Sequence, residues 1–300
     1  MLIKQICDRF SLIEKEAKSF IESSPNRYKF YTITKRHGGI REIAEPTKAL
    51  KIIQVWALNK FLSNFEIHPS AIAYVKGKNI KDFVLPHSNN KYLLKIDFKN
   101  FFNSIEGADF LNFLEDKANH LLFEERQLLT NIFFCKNKKS KIKELYLSIG
   151  APSSPFISNI IMINFDNQIS EFCKDNKIIY TRYADDLAFS TNTPNILTNL
   201  IKEINTICKN LNYPKNLEIN PEKTVFTSRK HNRTLTGLVI SNDGKVSIGR
   251  EKKRNLRTIA HKASLGVLDQ ESLDKFKGTL AFLLSIDPDF SNYLKQKANI

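Results

Sequence analysis

Apolar residues recur along this chain at two spacings, which together predict helices mixed with strands. A helix is predicted just after Pro46, where apolar residues stand three and four positions apart from Leu50 to Leu62. Further helices are predicted over residues 1–24, 108–134, the segment from Pro155 to about Ser170, 195–211 and the chain from Arg250 onward.

Strict alternation over Tyr92–Phe98 predicts a strand with Leu93, Lys95 and Asp97 on one face and a buried surface on the other. The remaining predicted strands are 178–182, 187–191, 234–240 and 245–248, together with a basic hairpin over 27–44 that turns at Gly38-Gly39. Because helices and strands do not alternate regularly, we expect an α+β fold.

The charge of the chain narrows the classes of partner. The 300 residues carry 46 Lys and Arg against 31 Asp and Glu, a formal net charge of +15. This excess favours a polyanionic partner, with nucleic acid first and an anionic membrane surface second, although a merely basic protein remains an alternative.

The spacing of the cysteines and the length of the apolar runs indicate where in the cell the protein is located. Four cysteines (Cys7, Cys135, Cys173 and Cys208) stand far apart, which disfavours a zinc site and fits a reducing cytosol. No run has the length and apolarity of a signal peptide or a membrane span. We therefore expect a soluble cytoplasmic protein with no membrane partner.

Two adjacent aspartates, Asp185 and Asp186, follow Tyr183-Ala184 between two strand-like runs. Like charges repel, and a hairpin turn ordinarily favours Asn-Gly or Asp-Gly. A divalent cation carrying nucleotide phosphates would stabilise both carboxylates. Asp97 would join them if its strand is their neighbour; taken alone, it is also explained as an ordinary polar residue at a strand end.

The motifs around these aspartates resemble those of bacterial retron-type reverse transcriptases. The matching segments, in order, are 95–102 (Lys-Ile-Asp-Phe-Lys-Asn-Phe-Phe), 150–155 (Gly-Ala-Pro-Ser-Ser-Pro), 180–187 (Tyr-Thr-Arg-Tyr-Ala-Asp-Asp-Leu), 217–224 (Leu-Glu-Ile-Asn-Pro-Glu-Lys-Thr), 235–240 (Leu-Thr-Gly-Leu-Val-Ile) and 246–251 (Val-Ser-Ile-Gly-Arg-Glu). Two departures stand out. Ile149 occupies a position where related enzymes commonly have Gln, and only His87 is kept from the family's Asn-Ala-x-x-His element.

The resemblance implies a right-hand polymerase fold, with fingers, a palm whose antiparallel sheet carries the catalytic aspartates, and a helical thumb. The implied divisions are an N-terminal helix and fingers over 1–90, palm over 91–107, fingers over 108–149, palm over 150–249 and thumb over 250–300.

The resemblance also implies a metal-dependent active site. Asp97, Asp185 and Asp186 would be the catalytic residues and, with the backbone carbonyl of Phe98, would hold two Mg²⁺ ions, for which Mn²⁺ could substitute. Such ions join the primer hydroxyl to the incoming triphosphate. Asp186 would be the weaker or more distant partner of the ions.

Six residues are implied to bind the incoming nucleotide: Lys35, Arg36, Arg41, Phe102, Gly150 and Lys223. Phe102 would be the steric gate that excludes a ribose hydroxyl and so selects dNTPs, although a core phenylalanine is an equal explanation. Arg41 is the better phosphate ligand, because a guanidinium grips phosphate bidentately. Lys35 is better explained as a solvated surface charge, and Lys223 is explained equally well as one.

Basic residues on the helix that starts near Arg250 would contact a nucleic-acid backbone, with Leu256 and Ile259 on the opposite, apolar face. The residues expected to bind nucleic acid are Arg250, Lys253, Arg254, Arg257, His261 and, from the retron element, His87. A solvated basic face is the alternative.

By resemblance, the chain would be an RNA-directed DNA polymerase that copies part of a structured noncoding RNA into single-stranded DNA (msDNA), primed from a guanosine 2′-hydroxyl. Its partners would be that RNA, the RNA–DNA product, dNTPs and an effector protein of an antiphage system. One alternative is a stand-alone enzyme akin to group II intron reverse transcriptases, which the short extent beyond the thumb disfavours. The other is a non-catalytic RNA-binding scaffold, which has no use for clustered carboxylates.

Overall fold

The computed structural model describes residues 2–35, 38–136 and 144–300, in two compact units. The first unit comprises Met1–Pro69, Phe98–Glu171 and Ile201–Asn220. The second unit comprises Ser70–Asp97, Phe172–Leu200 and Pro221–Ile300.

The mixture of helices and antiparallel strands confirms the predicted α+β class. The helices are α1 (Leu2–Phe10), α2 (Glu14–Ser23), α3 (Lys48–Ala57), α4 (Ile80–Val84), α5 (Phe101–Ser104), α6 (Gly107–Lys117), α7 (Phe123–Phe133), α8 (Ser154–Ile161), α9 (Ile163–Asp175), α10 (Ile196–Asn210), α11 (Arg250–Ser264), α12 (Gln270–Ile286) and α13 (Pro288–Ala298). The strands are β1 (Tyr28–Thr34), β2 (Ile40–Pro46), β3 (Tyr92–Asp97), β4 (Ile179–Tyr183), β5 (Asp186–Thr191), β6 (Val225–Ser228), β7 (Arg233–Leu235), β8 (Leu238–Ile240) and β9 (Val246–Ser247). Within the described ranges, no helix has both the length and the apolarity that crossing a membrane requires.

The helix predicted over 1–24 is in fact two helices, α1 and α2. The chain turns at Ser11, whose φ of 54° lies in the left-handed region and ends α1. The Ile13 N–H donates to the Glu16 carboxylate at 3.3 Å, which satisfies one of the free donors at the start of α2. The predicted helix after Pro155 is likewise divided, into α8 and α9.

A four-stranded antiparallel sheet in the second unit has the order β4-β5-β3-β6. Its register pairs Tyr92 with Thr191 at one end of β3 and Asp97 with Asp186 at the other. Alternation predicted one buried face for β3, but both faces are covered. Leu93 packs in a core with residues of β8 and of α12, while the next residue, Leu94, is also fully buried.

The strand predicted over 234–240 is instead the hairpin β7–β8. Its two turn residues, Thr236 and Gly237, have φ values of 43° and 86°, the pattern of the tight turns that suit twisted strands. With β9 these strands form a three-stranded sheet, and its apolar side shares one core with α11, α12 and α13. Leu256, Ile259 and Ala260 of α11 face this core, as the sequence predicted.

In the first unit, β1 and β2 pair from Tyr28 with Pro46 to Thr34 with Ile40. This confirms the predicted basic hairpin, apart from its residues 36 and 37, which lie outside the described residues. Thr47 caps α3, with its hydroxyl accepting from the Leu50 N–H at 3.4 Å.

Candidate active site

The three aspartates singled out by the sequence lie together in the second unit. Asp97 is the last residue of β3 and stands directly opposite Asp186, the first residue of β5. Asp185 precedes Asp186 in the two-residue turn between β4 and β5. Asp97 is buried, with 4% of its surface exposed, and the other two are half-buried.

The turn that presents Asp185 is strained. Ala184 has a φ of 56°, a region that costs a residue with a side chain about 1–2 kcal/mol. The side chain of Arg182, which is fully buried, donates to the Ala184 carbonyl at 3.4 Å. The turn therefore has an internal contact that supports a conformation its sequence does not favour.

Two lysines lie against the aspartates. The Lys223 Nζ is 2.9 Å from both carboxylate oxygens of Asp97. The Lys95 Nζ is 3.3 Å from Oδ1 of Asp186. Two of the three negative charges thus have a cationic partner, which reduces their mutual repulsion.

The pKa values of these groups reflect their burial and the repulsion between neighbouring carboxylates. Burial, and after it the charges of Asp186 and Asp97, raise the pKa of Asp185 to about 6. Burial also raises the pKa of Asp186, against the attraction of Lys95. Burial would lower the pKa of Lys223, but its hydrogen bond to Asp97 and the neighbouring carboxylates outweigh this and raise it. The site therefore favours additional positive charge.

The donor set fits a hard divalent cation, because carboxylate oxygens are the ligands that Mg²⁺ and Mn²⁺ prefer. In the arrangement seen here, however, no three acidic, histidine or cysteine side chains of the described chain already surround a single ion position. Asp97 is instead paired with Lys223. The chemistry of the residues fits a cation, and their side-chain arrangement is that of a site balanced by lysines.

The residues expected to bind the nucleotide, apart from Lys223, lie in the first unit. Lys35 and Arg41 are exposed on the β1–β2 hairpin, whereas Arg36 lies outside the described residues. Phe102 is half-buried in α5, and its ring meets that of Phe101 edge-on with centroids 5.5 Å apart. Phe102 therefore has both the partly exposed surface of a gate and the contacts of a core residue.

Gly150 lies where the chain passes close to β2. Its φ is 131°, and a Cβ there would stand 2.9 Å from the Ala44 carbonyl oxygen. The Ala44 N–H donates to the Ile149 carbonyl at 2.9 Å, which fixes this approach. Only glycine fits this position without displacing the backbone.

Phe98, whose carbonyl was predicted to assist a cation, follows Asp97 directly and begins the next part of the first unit. Its ring is buried and lies edge-on to Phe165 with centroids 5.5 Å apart. Phe98 also forms an isolated bridge with Ile219. These contacts fix the backbone immediately after the last residue of β3.

The predicted nucleic-acid-binding face of α11 is exposed at Arg250, Arg254, Arg257 and His261. Two members of the predicted set, Lys253 and Arg257, have side-chain partners within the second unit. Lys253 is half-buried, with its Nζ 2.5 Å from the Asp287 carboxylate. Arg257 stands over the Phe290 ring, with its guanidinium carbon 5.2 Å from the ring centroid.

His87 does not agree with its prediction as a nucleic-acid contact, because its ring is only 1% exposed. Its Nε2 lies 2.7 Å from the Thr181 hydroxyl and its Nδ1 lies 2.7 Å from the Ser190 hydroxyl. Thr181 donates its own proton to the Phe83 carbonyl at 2.9 Å, so Nε2 carries the ring proton and Nδ1 accepts from Ser190. Burial lowers the pKa of His87 to about 3, so the ring is neutral.

Sequence reasoning left out Lys95 as a site residue. The signal was available, because strand alternation already places Lys95 on the face of Asp97, two residues away. What the sequence did not provide was the register, which brings Asp186 within reach of the lysine. A half-buried lysine two residues before an aspartate at a strand end is the feature to look for.

The family model described as "Reverse transcriptase (RNA-dependent DNA polymerase)" matches residues 33–240. Three curated proteins of Escherichia coli are similar over most of their length. The retron Ec83 reverse transcriptase is 40% identical over 278 residues, covering 92% of this chain and 89% of the relative. The retron Ec73 and Ec86 reverse transcriptases are 32% and 31% identical, covering 99% and 87% of this chain and 95% and 77% of those relatives.

Proposed function

Because this chain belongs to the reverse transcriptase family, and within it to the retron enzymes, we propose that it copies part of a structured noncoding RNA into single-stranded DNA. Family membership makes it an RNA-directed DNA polymerase with the right-hand polymerase fold. Its curated relatives are retron enzymes, which favours this reading over an enzyme of the group II intron type. A non-catalytic scaffold is not supported.

The observation that carries the mechanism is the meeting of Asp97 with Asp186 across two strands, beside Asp185 in the turn. Reverse transcriptases generally use divalent metal ions. We propose two Mg²⁺ ions, replaceable by Mn²⁺, held by Asp97 and Asp185 and assisted by the Phe98 carbonyl. Bound there, such ions would activate the primer hydroxyl and neutralise the triphosphate.

Lys223 has a separate part in this proposal. Its raised pKa keeps the ammonium charged at neutral pH, and 58% of its side chain is exposed. A cation on a flexible stem can leave Asp97 and neutralise a phosphate oxygen instead. Asp186, tied to Lys95, keeps the β5 side of the site in place.

The residues proposed to contact the incoming nucleotide are those that the resemblance implied. Arg41 and Lys35, with Arg36 of the same hairpin, would neutralise the triphosphate, since exposed cations on a hairpin can close over an anion. Phe102 would exclude a 2′-hydroxyl, and Gly150 would keep the backbone beside β2 close to the substrate. In the same proposal, the finger, palm and thumb divisions follow the boundaries predicted from the sequence.

The exposed side of α11 would hold the RNA, or its hybrid with the new DNA, by backbone charge without reading sequence. Arg250, Arg254, Arg257 and His261 are its exposed members, and Arg257 also stands over the Phe290 ring. The partners proposed are a noncoding RNA that serves as template and primer, the branched RNA–DNA product, dNTPs and an effector protein of an antiphage system in the cytoplasm.

The test is the nucleic acid that copurifies with the chain when it is expressed beside its native flanking DNA. We expect a branched molecule that both RNase and DNase shorten. Asp185→Asn is the matched control, because it changes one atom group and should leave only RNA bound. DNA in the control, or RNA alone with the unaltered chain, would contradict the proposal.

A further inference from the structure

The two lysines beside the aspartates hold their partners in different ways. Lys223 follows Pro221 in a short 3₁₀ turn, and 58% of its side chain is exposed. Lys95 belongs to the central strand β3, and 28% of its side chain is exposed. One cation can therefore move away from its aspartate into solvent, and the other is fixed to the sheet.

The register explains why Lys95 reaches Asp186. Lys95 lies opposite Ala188, two residues along β5 from Asp186, and shares a face of β3 with Asp97. Residues diagonal to each other on one face of an antiparallel pair are within reach of a long side chain. The Lys95–Asp186 pair is therefore a cross-strand link within the sheet, with a separation of 3.3 Å.

We propose that Lys95 is a positioning residue that keeps Asp186 as its own counter-ion, so that Asp97 and Asp185 hold the cations and Asp186 does not. This inference rests on the proposed function, because it divides the work among the aspartates of that site. In this proposal Asp186 neutralises the charge of Lys95 and is not a metal ligand. Lys95 affects the reaction only by holding Asp186.

The inference has a consequence that a ligand role for Asp186 does not share. In Asp186→Asn, the ammonium of Lys95 loses its partner and repels any cation held by Asp97 and Asp185. If that repulsion is the main effect, removing Lys95 as well restores cation binding. If Asp186 is a ligand, the double variant still lacks an oxygen donor and stays weak.

The experiment is a Mn²⁺ titration of the purified full chain, with free Mn²⁺ measured by electron paramagnetic resonance and no substrate present. We expect Asp186→Asn to weaken Mn²⁺ binding by about fivefold or more, because the unpaired ammonium of Lys95 would repel a cation held a few ångströms away. Combining it with Lys95→Met should return the affinity to within about twofold of the unaltered chain. Both substituted side chains would be neutral, so the net charge at this pair would equal that of the original ion pair.

Three further variants make the comparison decisive. Lys95→Arg keeps the charge and should bind Mn²⁺ as the unaltered chain does. Lys275→Met on α12 removes one positive charge from an exposed ion pair with Glu271, and should change nothing. If Lys95→Met lowers the thermal unfolding midpoint, Lys95→Gln replaces it in the same comparison.

A double variant that binds Mn²⁺ as weakly as Asp186→Asn would overturn the inference and make Asp186 a ligand. The proposed function has its own readout in the same titration, because Asp97→Asn and Asp185→Asn should each abolish the tighter Mn²⁺ binding. If those two variants bind normally, the metal site itself is wrong. If only the rescue fails, the role of Lys95 alone is wrong.

Discussion

The ammonium of Lys223 lies 2.9 Å from both carboxylate oxygens of Asp97, so a cation of the chain already pairs with this aspartate. In the proposed mechanism a divalent cation would need the same carboxylate, so the two cations would compete for it. Binding of that cation would then displace Lys223 from Asp97.

For Lys223→Met we expect two opposite effects. The Mg²⁺ concentration for half-maximal dNTP incorporation should fall severalfold, because the competing ammonium is gone. The maximal rate should fall about tenfold or more, because a charge near the phosphates is lost. Steady-state incorporation measured across Mg²⁺ concentrations separates the two. Lys230→Met, on an exposed turn, is the control, and an unchanged Mg²⁺ dependence for Lys223→Met would refute the competition.

Phe102→Ala should relax sugar selection. If the half-buried ring excludes a ribose hydroxyl, its removal raises rNTP incorporation relative to dNTP by about a hundredfold, the scale of discrimination that a steric pocket provides. Single-nucleotide incorporation with paired dNTP and rNTP substrates measures the ratio. Phe123→Ala, an exposed phenylalanine on α7, should leave the ratio unchanged. Equal ratios in both variants would make Phe102 a core residue only.

Neutralising the exposed face of α11 should change the salt dependence of RNA binding. Replacing Arg250 and Arg254 by Gln should reduce the slope of log affinity against log salt by about 1.5, since each lost phosphate contact removes about 0.7–0.9. Filter binding across KCl concentrations from about 50 to about 300 mM measures the slope. Lys275→Gln with Lys277→Gln on α12 is the matched pair. An equal reduction in both pairs would show only a general loss of charge.

Gly150→Ala should destabilise the first unit. A Cβ at 2.9 Å from the Ala44 carbonyl oxygen, at a φ of 131°, forces the backbone to shift, at a cost of about 2–4 kcal/mol. Gly266→Ala has a positive φ with nothing within 4 Å, so it should cost only the left-handed strain of about 1 kcal/mol. Urea unfolding gives both values. Equal losses would mean that the chain relaxes freely at Gly150.

His87 should make the second unit sensitive to acid. Its pKa is lowered from 6.5 to about 3 in the folded chain, so the unfolded chain binds its proton first. The stability that the neutral ring contributes is complete above pH 6.5 and declines as pH falls toward 3, at up to about 1.4 kcal/mol per pH unit. Unfolding at pH 7 and pH 5 should show a drop in the unaltered chain that His87→Gln lacks. His231→Gln, an exposed histidine, should keep the full drop.

Much of the fold was predictable, because periodicity fixes the type of an element even where it misses an end. The helices from Lys48, from Gly107 to Phe133 and from Arg250 onward were all predicted by spacing alone. The breaks at Ser11 and at Thr236-Gly237 were not, because each depends on single residues in left-handed conformations within an otherwise regular pattern. Hydrophobic periodicity is read over several residues at once, whereas one or two residues in a left-handed conformation are enough to reverse the backbone.

The aspartates of the candidate site could be predicted from the sequence, but their pairing with particular lysines could not. The adjacent pair Asp185-Asp186 stands out in the sequence, since like charges repel and a hairpin turn ordinarily favours other residues. The partners of those carboxylates depend on sheet register, which no single strand specifies. His87 shows the converse, because its motif marked it for attention while only the structure reveals that its ring is enclosed between β4 and β5.

Two kinds of interaction act at different points along one face of the β4–β5 hairpin, because Thr181, Ser190 and Asp186 alternate onto the same side of the paired strands. Away from the turn, the neutral His87 ring donates to Thr181 and accepts from Ser190, and the Asn90 amide donates to Ser190 at 2.8 Å. Beside the turn, aspartates and lysines interact by charge. Dissolved salt screens the charged end and leaves the neutral bonds unaffected. Changes in ionic strength can therefore tune the reactivity of the site while the scaffold that aims it keeps its shape.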